Sequence, residues 1–135
     1  MKDFDSWNEI KKKTESENPR LYNVREIWWC KFGLNIGTEQ DGKDKLYLRP
    51  CVILKSFGKS SCLVVPTTTS PKDHPFRINI GKIEGKEDKA NISQIKTIDP
   101  RRLIEKIGIL DKAEFSLHRS PCGVGPKHII FTNNI

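Results

Sequence analysis

The feature that most constrains the fold is the dipeptide Arg49-Pro50, set directly before the apolar run Cys51, Val52, Ile53, Leu54. Proline has no amide hydrogen and a fixed φ, so it is tolerated best at the first position of a strand or on a sheet edge. The apolar run therefore reads as a buried strand with Arg49 at its mouth. A charge without a partner is costly to bury, so the guanidinium is expected outside the core while its root is held by the strand. Ahead of it runs a polar loop from Gly33 to Lys45, punctuated by Gly33, Gly37 and Gly42. A rooted cation beside a polar loop is what phosphate handling needs.

Gly58 marks a turn, and SCLVVPTTT from Ser61 to Thr69 reads as a second strand that ends in hydroxyls. Antiparallel strands joined by a turn place the start of the first beside the end of the second. Arg49 and the Thr67, Thr68, Thr69 run are thus expected as neighbours at one end of a sheet.

Upstream, VREIWWCKF from Val24 to Phe32 is rich in β-formers. As a strand it sends Trp28 and Trp29 to opposite faces. One ring can fill the core of a single sheet, and the other is expected under another element, with a subunit contact or a base stack as alternatives. Residues 3 to 17 read as a helix that lays Phe4 and Trp7 against the domain; Ser6 with Glu9 makes a capping-box pattern, and Asp3 and Asp5 are rival caps. Downstream the pattern predicts a short strand from Phe76 to Ile80, a charged connection from Gly81 to Lys89, and a strand from Ala90 to Ile98. Asp99-Pro100 reads as a helix start leading through Lys106, and Asp111 with Glu114 as a second short helix reaching His118. The tail is irregular until its HIIF run.

Five or so short strands with short helices predict a mostly β fold, a small antiparallel barrel preceded by an N-terminal helix. The expected organisation is a helical extension over 1–20, a barrel over 24–118 and a tail over 119–135.

Composition narrows the chemistry. A chain of 135 residues fits one domain, and its net charge of +7 suits a polyanionic partner without proving one. No apolar run approaches the ~18 residues of a membrane span. The opening MKDFDSWNEIKKK lacks the apolar core of a signal peptide, so a soluble cytoplasmic protein is expected. Cys30, Cys51, Cys62 and Cys122 form no C-x-x-C pair, which argues against a zinc site, and the first three, within apolar strand-like runs, read as small buried residues. The carboxylates are scattered among lysines, His74, His118 and His128 lack ligand spacing, and neither a G-x-S-x-G elbow nor a GK[ST] phosphate loop is present. No metal or cofactor is expected.

Five pieces occur in an order and spacing that resemble the MazF/PemK family of toxins from type II toxin-antitoxin systems: REIWW at 25–29, GLNIGTEQDGK at 33–43, RPCVIL at 49–54, VVPTTTS at 64–70 and SQIKTIDPRRL at 93–103. The resemblance implies an SH3-like barrel, a homodimer, and metal-independent cleavage of single-stranded RNA through attack of the substrate 2′-hydroxyl on the adjacent phosphate. It places the reaction on Arg49 and Thr68. It also implies RNA contacts from Glu39, Gln40 and Lys43, in the loop that closes over the substrate, and from Gln94 near a groove between subunits. Ser93 stands where some members carry an acidic residue implicated in catalysis, so no carboxylate is assigned there.

By chemistry alone, Glu39 and His74 are candidates for the base, which stays unassigned because arginine remains protonated. The implied partner is an antitoxin with a DNA-binding domain and an acidic, poorly ordered segment that occupies the RNA groove. The alternatives are a gyrase-poisoning toxin of the same fold and a non-catalytic RNA-binding protein.

Overall fold

Strand β2 (Leu48–Ser56) runs antiparallel between β1 (Glu26–Lys31) and β3 (Cys62–Thr68) in the computed structural model, which describes residues 2–37, 39–43, 46–72, 74–110, 116–118 and 130–132. Outside this trio lie β4 (Arg77–Ile83), β5 (Lys86–Asn91), β6 (Lys96–Ile98) and β7 (Leu103–Ile109). The sheet order is β4-β5-β3-β2-β1-β7, with β6 also paired to β3. All pairings among these strands are antiparallel. The fold is mostly antiparallel β, with a sheet curled into a half-barrel and a helix at the N-terminus, as expected.

Period-two alternation gives the central strands two buried faces. One carries Ile27, Val52, Leu54 and Val65 against Ile80, Ile83, Ala90 and Leu110. The other carries Trp28, Cys30, Cys51, Ile53, Cys62 and Val64 against Phe32, Ile98 and Leu103. Cys30, Cys51 and Cys62 are free and buried, as expected of small apolar-like residues.

Pro50 lies inside β2, opposite Trp29, rather than at the strand start or on an edge. The reason lies on its other side. The β2–β3 ladder ends at the pair Cys51 and Pro66, so Pro50 sits just past its end and no amide hydrogen is required of it there. Its carbonyl instead takes a hydrogen bond from the Thr67 hydroxyl at 3.2 Å. The two strands separate from this point.

Helix α1 (Phe4–Glu15) is capped by Asp3, whose side chain accepts from the Ser6 amide at 3.0 Å, so the cap is Asp3 rather than Ser6. Trp7 is buried at 6% exposure, but Phe4 is 45% exposed and does not pack on the domain as expected. At the helix end, the buried Lys31 ammonium donates to the Thr14 hydroxyl at 2.9 Å and pairs with Glu17 at 3.2 Å.

Three other segments depart from the sequence reading. Residues 81–89 are the turn and arms of the β4–β5 hairpin, not a connection. The 90–98 segment is broken by a 3₁₀ turn at Ile92–Gln94 into the end of β5 and a separate β6. Asp99 does cap a turn, accepting from the Arg101 amide at 2.9 Å, but this 3₁₀ turn spans only Pro100–Arg102. The chain then becomes β7, paired with β1. Ser116–His118 is a strand (β8) paired with Ile130–Thr132 (β9), not a helix end. The Asp111 and Glu114 positions and Cys122 lie outside the described residues. Among the described residues no helix is long and apolar enough to cross a membrane.

Candidate active site

Where β2 and β3 separate, an open pocket of about 220 Å³ is lined by Trp29, Lys43, Arg49, Thr68, Lys86 and Asp88 among others. Sequence reasoning placed Arg49 and Thr68 together by hairpin geometry, and both do line this pocket. The second tryptophan also comes to rest here: Trp28 is in the core, whereas Trp29 forms part of the pocket wall and is half-buried. It does not lie under another element as expected.

The arginine is more enclosed than a strand-mouth cation was expected to be, at 8% exposure. It is accommodated because protein acceptors surround it. Nε donates to the Asp41 carbonyl at 2.6 Å and Nη1 to the Thr67 carbonyl at 2.9 Å. The Thr67 carbonyl is available because the β2–β3 ladder has already stopped. Gln40 lays its carboxamide against the same group. With its oxygen toward the cation it accepts from Nη2 at 2.8 Å, with Nε at 3.1 Å and Nη1 at 3.3 Å. The reverse orientation would set N–H against N–H. Burial pulls the Arg49 pKa down from its usual value, and the nearby Cys51, Asp41 and Asp88 oppose that pull.

Asp88, read from sequence as part of a charged connection, is a buried carboxyl at 3% exposure in the same pocket. Burial raises its pKa, and the neighbouring Thr67 side chain and the Arg49 charge only partly offset this. The signal that could have found it is alternation: in KEDKAN, Lys86, Asp88 and Ala90 share one strand face, and Ala90 is fully buried.

The two threonines are employed differently. The Thr67 hydroxyl is spent on Pro50. The Thr68 hydroxyl accepts from the Ser70 amide at 3.2 Å, which leaves its proton to donate. Gln94 accepts the Gln40 amide at 3.2 Å and so holds the loop from below. Glu39 turns back to accept the Ile36 amide at 2.8 Å, and His74 Nδ1 accepts the Phe76 amide at 3.2 Å; neither lines the pocket. The pocket thus gathers Arg49, Thr68 and Lys43, Gln40 and Gln94 stand just behind it, and Glu39 and His74 stand apart.

No cluster of histidine, cysteine and carboxylate side chains suited to a metal occurs among the described residues. The chemistry that this arrangement can perform is electrostatic: a fixed guanidinium, a hydroxyl and a lysine at one cavity suit a phosphodiester whose charge grows during reaction.

Solved structures share the fold at low sequence identity. MazF from Deinococcus radiodurans (Form-I) is 19% identical with a TM-score of 0.56, over 68% of this chain and 84% of that one. An endoribonuclease from a mycobacterial species is 15% identical with a TM-score of 0.51, over 72% and 83%. The Mycobacterium tuberculosis toxin MazF-mt6 is 18% identical with a TM-score of 0.50, over 66% and 83%. No curated protein matches the chain. A family model described as PemK-like, MazF-like toxin of type II toxin-antitoxin system matches residues 23–118, which take in the whole of the sheet and pocket described above. The chain belongs to this family of toxins.

Proposed function

We propose that the chain is an endoribonuclease, the toxin of a type II pair, acting on single-stranded RNA in the cytoplasm. The observation that carries this reading is that Arg49 and Thr68 line one pocket, with the guanidinium fixed by the Asp41 and Thr67 carbonyls. Membership of the toxin family and the endoribonuclease named among its structural relatives point the same way.

In the proposed reaction the substrate supplies its own nucleophile. The 2′-oxygen forms a bond to the adjacent phosphorus as the bond from phosphorus to the 5′-oxygen breaks. The products are a 2′,3′-cyclic phosphate and a 5′-hydroxyl. One proton leaves the 2′-hydroxyl and one reaches the departing oxygen, so the sum of atoms is unchanged.

Charge builds on the phosphoryl oxygens along this path, and Arg49 stabilises it more strongly than it stabilises the ground state. Two of its five N–H groups are committed to backbone carbonyls. The one facing Gln40 is held by a side chain that an incoming phosphate displaces. Thr68 donates its hydroxyl proton to the same phosphate, and Lys43 attracts the backbone of the strand. Gln40, released from Arg49, and Gln94 then contact the RNA, and Glu39 lies on the loop that frames it.

The chain's net charge of +7 suits both RNA and the acidic segment of a cognate antitoxin, which competes for the same surface. We take the active species to be a homodimer.

The test uses the purified chain and a long single-stranded RNA of mixed sequence in excess chelator. Cuts ending in 2′,3′-cyclic phosphate are expected, with none in the same sequence carrying 2′-deoxy residues. Arg49→Ala should keep the fold and lose cleavage. Intact RNA with the wild-type chain, or cutting of the deoxy strand, would overturn the reading.

A further inference from the structure

We infer that the N-terminal segment, Lys2 together with helix α1, positions Arg49 by acting through the 33–43 loop, with Lys2 and Trp7 as positioning residues; this rests on the endoribonuclease reading. The argument begins with how the guanidinium is oriented. One of its backbone anchors, Thr67, belongs to the sheet and moves only with it. The other, the Asp41 carbonyl on Nε, belongs to the loop. The twist of the guanidinium plane is therefore set by where the loop lies.

The loop lies where Lys2 puts it. The ammonium of Lys2 pairs with the Asp41 carboxylate at 2.9 Å and donates to the carbonyls of Asn35 at 2.5 Å and Gly37 at 3.3 Å. These three acceptors match the three donors of an ammonium group. The other carboxylate oxygen of Asp41 accepts the Asn35 amide at 2.6 Å. One residue thus joins both limbs of the loop, and its carbonyl grips Arg49.

Trp7 secures the base of the same loop. Its indole stacks edge-on to Tyr47 with ring centroids 5.7 Å apart. It also fills the space above Gly33, where any Cβ would overlap the ring. The Tyr47 carbonyl accepts from the amides of Phe32 and Gly33, and the Gly42 amide donates to the Gly33 carbonyl, so the ring rests on the point where the two limbs meet. The helix itself is tied down at its far end, where Arg101 Nη1 donates to the Glu15 carbonyl at 2.7 Å. From Lys2 to Arg49 there is a single intervening residue, Asp41.

The test compares the wild-type chain with Lys2→Met, which removes the charge at a partly exposed site, and Lys2→Arg, which restores it. Two readouts are taken. The first is the exchange rate of the Arg49 Nε hydrogen by nitrogen-15 NMR, together with amide exchange across residues 34–42. Lys2→Met should speed both at least tenfold while the β2 and β3 amides keep their rates, and Lys2→Arg should reverse the change. The second is cleavage of the mixed-sequence RNA, where Lys2→Met should lower kcat about ten- to a hundredfold with little change in KM. Unchanged Arg49 exchange in Lys2→Met, or an unchanged or raised kcat, would overturn the inference. Failure of the wild-type chain to cut RNA would sink the endoribonuclease reading instead, and the exchange of the Arg49 hydrogen would still decide whether Lys2 holds that group in place.

Discussion

The Thr67 hydroxyl donates to the Pro50 carbonyl at 3.2 Å, spanning the gap that opens where the β2–β3 ladder ends. Its sequence neighbour Thr68 has no such duty and lines the pocket with its hydroxyl proton uncommitted among the described residues. Valine at each position should therefore separate structure from chemistry. Thr67→Val should lower stability by about 1 kcal/mol, read from urea unfolding. Thr68→Val, which gives up only the Ser70 amide contact, should cost about 1 kcal/mol or less and in addition slow RNA cleavage by at least tenfold.

Arg49→Lys tests whether charge alone suffices. A lysine keeps the charge but has no rigid fork to hold the Asp41 and Thr67 carbonyls while facing a phosphate. Loss of about 100- to 1,000-fold in kcat is expected, with binding of RNA weakened far less. Retention of cleavage within threefold would show that orientation is unimportant.

Gly33 has a φ of +84°, and Trp7 occupies the space of its missing side chain. Gly33→Ala meets both a left-handed backbone and an indole packed in a buried site. The expected cost is about 2 kcal/mol or more, accompanied by increased exposure of Trp7 in its fluorescence spectrum.

Glu26 is a buried carboxylate that accepts from the Asn23 amide at 2.7 Å and Trp28 Nε1 at 3.1 Å and pairs with Lys106 at 2.9 Å. Burial pushes its pKa up, but Lys106, the Asn23 amide and Trp28 together outweigh it, and the net shift is downward. A carboxyl with a lowered folded-state pKa adds stability above its unfolded value of 4.5 and loses it as pH falls through the folded value. Glu26→Gln should thus cost about 2 kcal/mol at pH 7, and the difference from wild type should shrink below pH 4.5. Thermal unfolding across pH checks it.

Asp88 behaves in the opposite sense. Its raised folded-state pKa, caused mainly by burial, means that its contribution is greatest below the unfolded value of 3.8 and is lost as pH rises through the folded value. Asp88→Asn should therefore gain thermal stability relative to wild type near pH 7 and show no gain near pH 3. A constant difference across that range would contradict the assignment.

The parts of the fold that were legible in the sequence are those whose signal is local. Cys51 to Leu54 and the SCLVVPTTT run are dense in β-formers, and hairpin geometry then brought Arg49 to Thr68 without further information. The β4–β5 hairpin was not legible because KIEGKEDK has little intrinsic β preference. Its register is set by a two-residue turn with Glu84 at φ 51° and Gly85 at φ 80°, the left-handed pair that matches strand twist. Reading past that turn concealed Asp88. The sequence reads as helix through Lys106 because Asp99-Pro100 is a true helix start, but from Leu103 onward pairing with β1 overrides it after one turn. The capture of Arg49 by Asp41 and Gln40 could not be read at all. It depends on where the loop settles, and Lys2 and Trp7, distant in the sequence, decide that.

Cys30, Cys51 and Cys62 all belong to one apolar cluster, out of reach of solvent. Burial drives the thiol of Cys51 well above its ordinary range and that of Cys62 up to about 12, so neither is a nucleophile while the sheet is intact. A thiol-specific dye should consequently react at these positions only after the sheet itself has come apart. The sulfur atoms are a built-in clock for whole-domain opening, one that fraying of the outer loops does not start.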